Sequence, residues 1–160
     1  MTGRAQVDDS TADGLDDTGV AAILTRTRRI ALVGASAKPE RASNAVMRFL
    51  LDQGYDVVPV NPGLAGQTIH GRTVVATIEQ AVPLDMVDIF RATDQVAPVV
   101  DEAIRLGART IWMQLGIVDP ASAARACAAG LSMVMDRCPK IEWPRLRPGR
   151  LRAVPGDTSP

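Results

Sequence analysis

The residues of this chain best suited to chemistry recur just after short apolar segments. Ile30-Ala31-Leu32-Val33 runs into Gly34-Ala35-Ser36-Ala37-Lys38-Pro39, and Tyr55 to Val60 runs into Asn61-Pro62-Gly63. Met86 to Phe90 runs into Phe90-Arg91-Ala92-Thr93, sharing Phe90 with it, and Thr110 to Met113 precedes Gln114-Leu115-Gly116-Ile117. Leu131 to Met135 precedes Asp136-Arg137-Cys138-Pro139-Lys140. The first of these stretches suits a phosphate. Gly34 allows a tight turn, free amides and the Ser36 hydroxyl can donate to phosphate oxygens, and a helix starting just beyond would point its positive end at them. Lys38 adds a full charge. The chain has only two lysines among eighteen cations, and both, Lys38 and Lys140, fall in these stretches.

Other chemistries find less to work with. No Ser/His/Asp order or carboxylate pair stands out. Cys127, Cys138 and the single His70 are too few for a disulfide framework or a Cys/His zinc site. His70 lies in a polar loop, Gly66 to Arg72, and reads as surface chemistry. Cys138 follows Arg137 with Lys140 near, an arrangement that favours its thiolate. Cys127 sits among small residues and reads as core, as do Trp112, Tyr55 and Phe49.

The elements that must position these residues are legible. Ile30 to Val33 is a continuous apolar run, as expected of a strand buried on both faces. Ser43 or Asn44 would cap a helix reaching Gln53 with Val46, Phe49 and Leu50 on one side, and Val20 to Arg28 would form a helix before the first strand. Thr93 or Asp94 would cap a helix through Ile104, and Asp119-Pro120 would open a fourth, Ala-rich one. Gly54, Gly107 and Gly130 each stand between a helix and a strand, where a left-handed residue turns the chain straight back. The spacing predicts a doubly wound α/β domain: a parallel five-stranded sheet with helices on both faces. A short extended piece is expected at Thr73 to Val75. In such sheets the ligand lies over the carboxyl ends of the strands, where the five stretches fall.

A nicotinamide dinucleotide fits this pattern poorly. The fingerprint G-x-G-x-x-G fails because position 36 is Ser and position 39 is Pro. The Asp or Glu that would hold the ribose hydroxyls after the second strand is replaced by Asn61. An NAD(P) oxidoreductase or redox sensor is therefore the second reading.

The strings VGAS followed by Lys38-Pro39, GYDVVPVNP, DMVDIFR, IWMQLGI and MDRCPKIE, taken in order, resemble the small stand-alone CoA-binding proteins of the CoA-binding-domain family. That family shares its Rossmann-like domain with the succinyl-CoA synthetase alpha subunit and the NDP-forming acyl-CoA synthetases. The resemblance covers about residues 23 to 146 and implies coenzyme A or an acyl-CoA as ligand. It places the pyrophosphate at Gly34, Ala35, Ser36 and Lys38, and the adenosine end near Asn61, Pro62, Phe90 and Arg91. It runs the pantetheine arm past Gln114, Leu115, Gly116 and Ile117 and brings the thiol toward Cys138. CoA also carries a 3′-phosphate, so it needs cations where NAD needs a carboxylate; Lys38 and Arg91 suit that demand. One departure is that Pro62 is followed by Gly63 where the synthetases often continue Pro-Lys. No position matches the synthetases' catalytic histidine, so catalysis by this chain alone is not expected; a carrier, sensor or partner of an acyl-CoA enzyme is.

Composition sets the bounds. With 160 residues the chain has length for one domain. Eighteen cations balance eighteen anions, which argues against a nucleic-acid binder held by bulk charge, and no apolar run approaches a membrane span. A reducing cytoplasm is the expected location. Residues 1 to 19, with five aspartates and almost nothing apolar, read as a disordered acidic tail ahead of a domain at 20 to 146. Residues 147 to 160 read as a basic, Pro/Gly-rich tail, either solvated or in weak contact with phosphate or RNA.

Overall fold

The computed structural model describes residues 11–148. In chain order the elements are α1 (Asp17–Arg26), β1 (Arg29–Val33), α2 (Ala42–Asp52), β2 (Asp56–Val60), a small hairpin of β3 (Thr68–Ile69) and β4 (Arg72–Thr73), β5 (Met86–Ile89), α3 (Val96–Arg105), β6 (Thr110–Met113), α4 (Pro120–Ala128), β7 (Ser132–Val134) and α5 (Pro139–Leu146). Five strands form one sheet in the order β2-β1-β5-β6-β7, every neighbouring pair parallel. The register aligns Val33 with both Val60 and Ile89, and Ile89 with Met113, so the carboxyl ends finish together along one edge.

Strand alternation divides the core into two layers. Ala31, Val33, Val87, Ile89, Ile111 and Met113 face α3 and α4, while Ile30, Leu32, Met86, Trp112 and Val134 face α1, α2 and α5. Helices cover both faces, so the strands read as unbroken apolar runs. The chain leaves β1 outward to β2 and then returns to β5 on the other side of β1. The switch point therefore lies between the ends of β1 and β5.

Several local expectations need correction. Ser43 and Asn44 do not precede α2 but lie buried in its first turn, with Arg41 at the cap position. Asn44 is drawn inside because its amide donates to the Ser36 carbonyl. A 3-10 turn at Thr93–Gln95 carries the chain into α3. Cys127, expected in the core, is exposed. The segment 139–146, which holds Pro139 and Pro144, is helical.

The acidic start is also more than a tail over its described part. Asp16 caps α1 by accepting from the Gly19 amide at 2.8 Å. The Asp13 side chain is wholly buried and paired with Arg137 at 2.8 Å. Burial alone would raise the Asp13 carboxyl, but hydrogen bonds from Arg137 and from the Leu15 and Met135 amides outweigh it and hold the group below the usual range. Composition treats an aspartate as solvated; this one has a cation partner about 120 residues away in sequence. The rest of the expected acidic tail and the basic stretch beyond 148 lie outside the described residues.

No helix among the described residues is long and apolar enough to cross a membrane.

Candidate functional site: a cationic cleft at the strand ends

Above the carboxyl ends of the sheet lies a cleft of about 660 Å³. It is walled by Gly34, Ala35, Ser36 and Lys38 after β1, by Arg41, Ala42 and Ser43 at the start of α2, and by Asn61, Gly63 and Leu64 after β2. Phe90 and Arg91 after β5, Gln114, Leu115 and Ile117 after β6, and Cys138 after β7 complete it. Pro62 and Gly116 of the expected set do not line it. Pro62 opens a 3-10 turn that presents Gly63 and Leu64 instead. The Gly116 amide is held by the Asp136 carboxylate at 2.7 Å.

The turn after β1 is built differently from expectation. The amides of Gly34 and Ala35 donate to the Val60 carbonyl at 3.0 and 3.3 Å, so they tie β1 to β2 and are not free for a phosphate. Gly34 has φ of +91°, and a Cβ there would meet the Phe90 carbonyl oxygen at 2.1 Å. Glycine is demanded here by the close approach of the β5 end. Asn61, expected at the adenosine end, accepts from the Gly63 amide and donates to the Ala35 carbonyl, both at 2.8 Å. Its amide group clasps two loops together.

The donors that remain lie at Ser36 and α2. The Ser36 oxygen accepts from the Lys38 amide at 3.1 Å, which leaves its own proton to give. Arg41 provides no side-chain cap to α2, so the positive end of that helix faces the cleft uncapped. Lys38, Arg41 and Arg91 all line the wall, and among the described residues none of them forms an ion pair. No Asp or Glu lines it. Arg41 is not marked in the sequence as the two rare lysines are; its place immediately before a helix start is the signal it offers.

His70 has a structural task there. Its Nε2 faces two acceptors of Asn44, the main-chain oxygen at 3.1 Å and Oδ1 at 3.0 Å, so that nitrogen carries the proton and donates. The Asn44 amide in turn donates to the Ser36 carbonyl at 2.9 Å. A chain of hydrogen bonds thus runs from the small hairpin through α2 to the loop after β1.

At the far end, Arg137 is not available to Cys138 as sequence suggested. Its guanidinium is buried between Asp13, the Leu15 carbonyl and Glu142. Lys140 lies in the first turn of α5 and lines a separate hollow with Arg48 and His70. Gln114 keeps 5% of its surface exposed, and its Oε1 has no hydrogen-bond partner among the described residues. A buried acceptor on a cleft wall without a donor is costly unless a ligand or water supplies one.

The comparisons with known proteins agree with this fold. The family described as CoA binding domain matches residues 28–144. This chain belongs to that family. An uncharacterized protein of Bacillus subtilis, YneT, is 34% identical over 119 residues, which is 74% of this chain and 87% of that one. The solved structure of a hypothetical protein from Pyrococcus horikoshii is 38% identical, superposes with a TM-score of 0.79, and is matched over 92% of this chain and 99% of its own. A dinucleotide-forming acetyl-coenzyme A synthetase of Ca. Korarchaeum cryptofilum shares the fold at 23% identity and TM-score 0.58, over 69% of this chain and 26% of the synthetase. The same fold thus occurs in small separate proteins and as one portion of a much longer chain.

Proposed function

We propose that this CoA-binding domain takes coenzyme A or an acyl-CoA into the strand-end cleft and serves as a non-catalytic carrier, sensor or accessory module for an acyl-CoA enzyme. The observation that carries the reading is the charge of the wall: three cations line it and no carboxylate does. CoA presents a pyrophosphate and a 3′-phosphate to such a wall. The start of α2 with Ser36, Lys38 and Arg41 suits the pyrophosphate. Arg91 suits a further phosphate, and the stretch from Asn61 to Leu64 with Phe90 suits the adenosine. Gln114, Leu115 and Ile117 suit the pantetheine arm, which has both methyl groups and amides. A nicotinamide dinucleotide would meet Asn61 where it needs a carboxylate, with the Asn61 amide already engaged on both sides. The wall holds neither carboxylate nor imidazole to move a proton, which supports a binding role. The two free cysteines suit a reducing compartment such as the cytoplasm.

Calorimetric titration of the purified protein with CoA tests this. Saturable binding is expected, weakened about tenfold or more in Lys38→Ala, Arg41→Ala or Arg91→Ala, since a hydrogen bond to a charged group is worth about 1.5–3 kcal/mol. Affinity unchanged in all three variants, or preference for NADH, would overturn it.

A further inference from the structure

We infer that Cys138 and Gln114 form a thiol-capture subsite, at which Cys138 exchanges with CoA disulfide to hold one CoA covalently. The inference rests on the CoA reading and adds to it a redox-dependent mode of binding. Two observations meet here. Cys138 is a free thiol with 7% exposure, and the cleft is what it faces. Gln114, on the same wall, buries an acceptor oxygen that lacks a donor. The end of a pantetheine arm offers both complements, an amide N–H two carbons from a sulfur.

The lengths agree. From β1, where the phosphate donors lie, the sheet extends three strands to β7 but only one to β2. At about 4.8 Å per strand, the ends of β1 and β7 are roughly 14 Å apart. About twelve bonds separate the phosphate ester oxygen of the arm from its sulfur, and an extended chain gains about 3.3–3.6 Å per three bonds, again roughly 14 Å. An arm laid across β5 and β6 reaches the end of β7, which leads into the turn that holds Cys138. An arm laid the other way would run off the sheet.

In the exchange the Cys138 thiolate attacks one sulfur of CoA disulfide. A Cys138–CoA S–S bond forms, the bond between the two CoA sulfurs breaks, and the second CoA leaves as a thiolate that takes up the proton released by Cys138. CoA disulfide is the oxidant, and reduction by any thiol pool reverses the step. Cys127, exposed and outside the cleft, is an internal control.

Intact-mass measurement after incubation with CoA disulfide decides the matter. The native chain and Cys127→Ser are expected to gain the mass of one CoA less two hydrogens, and Cys138→Ser is expected to gain nothing. The cleft raises the local concentration of the reagent, so CoA disulfide is expected to modify Cys138 at least about tenfold faster than glutathione disulfide. Gln114→Leu is expected to narrow that preference. No adduct, an adduct that survives in Cys138→Ser, or equal rates with the two disulfides would overturn the inference. Titration of the native chain with CoA under reducing conditions separates the failures: tight binding there, without an adduct from CoA disulfide, refutes the capture alone, and no binding refutes the CoA reading as well.

Discussion

Asp88 gives the most demanding test of the core. It lies in β5, the middle strand of the sheet, in register between Leu32 of β1 and Trp112 of β6. It has no exposed surface, and among the described residues neither carboxylate oxygen has a hydrogen-bond partner. Burial pushes its carboxyl well above the ordinary range, which favours the protonated form in the folded protein. In the unfolded chain an aspartate ionises near pH ~3.9. Folding therefore takes up a proton at any pH between the two values. A raised folded-state value means the stability is fully present below about pH 3.9 and falls as pH rises toward the folded value, by about 1.4 kcal/mol per unit. Asp88→Asn keeps the shape and removes the titration. Whatever the variant's stability at pH 5, it is expected to gain on the native chain as pH rises toward the folded value of Asp88, at up to about 1.4 kcal/mol per unit. Urea unfolding followed by tryptophan fluorescence at pH 5, 6 and 7 measures this, with Trp112 as a buried reporter. A difference flat to within about 0.5 kcal/mol over that range would show Asp88 ionised in the folded state and refute the reasoning.

Gly34→Ala is expected to lose at least about 1–2 kcal/mol from the left-handed backbone alone and more from the collision with the Phe90 carbonyl, read as a lower urea midpoint; a loss under about 0.5 kcal/mol would contradict it. Asp13→Ala leaves a buried guanidinium short of a partner, and about 3–5 kcal/mol of stability should disappear at pH 7. Because the Asp13 value is lowered on folding, its contribution is present above about pH 3.9 and lost as pH falls through the folded value, so melting curves of variant and native chain should converge in acid. Asn44→Ala cuts the link between His70 and the Ser36 loop; at about 0.5–1.5 kcal/mol for a lost hydrogen bond, CoA affinity should fall roughly two- to tenfold in a titration, and unchanged affinity would deny the loop's role.

The architecture was readable because periodicity and punctuation agree. The strands are buried on both faces and so appear as apolar runs, and Gly54, Gly107 and Gly130 adopt the positive φ that turns helix into strand. Asp119 before Pro120 caps α4 as its position suggests. What escaped was whatever depends on a distant partner. Asp13 looked solvated because nothing in its neighbourhood reveals Arg137. The helix α5 was hidden by Pro139 and Pro144, although Pro139 sits at the first helical position, where no N–H is needed. Packing of Trp143 against Phe49 and the pairing of Arg145 with Asp17 bind that short helix to the body. The strand-end stretches were likewise legible as a group, but the use of each backbone amide was not. That the Gly34 and Ala35 amides go to the Val60 carbonyl depends on strand order, which local sequence does not carry.

The claim on which the account turns is that a cationic wall selects a nucleotide tail with an extra phosphate. Calorimetry with CoA, dephospho-CoA and NAD under one salt condition tests it most directly. CoA is expected to bind more tightly than dephospho-CoA by at least about 1 kcal/mol, reflecting one charged contact to the 3′-phosphate, and NAD is expected to bind weakest. Equal affinity for CoA and dephospho-CoA, or NAD binding more tightly than either, would contradict the account.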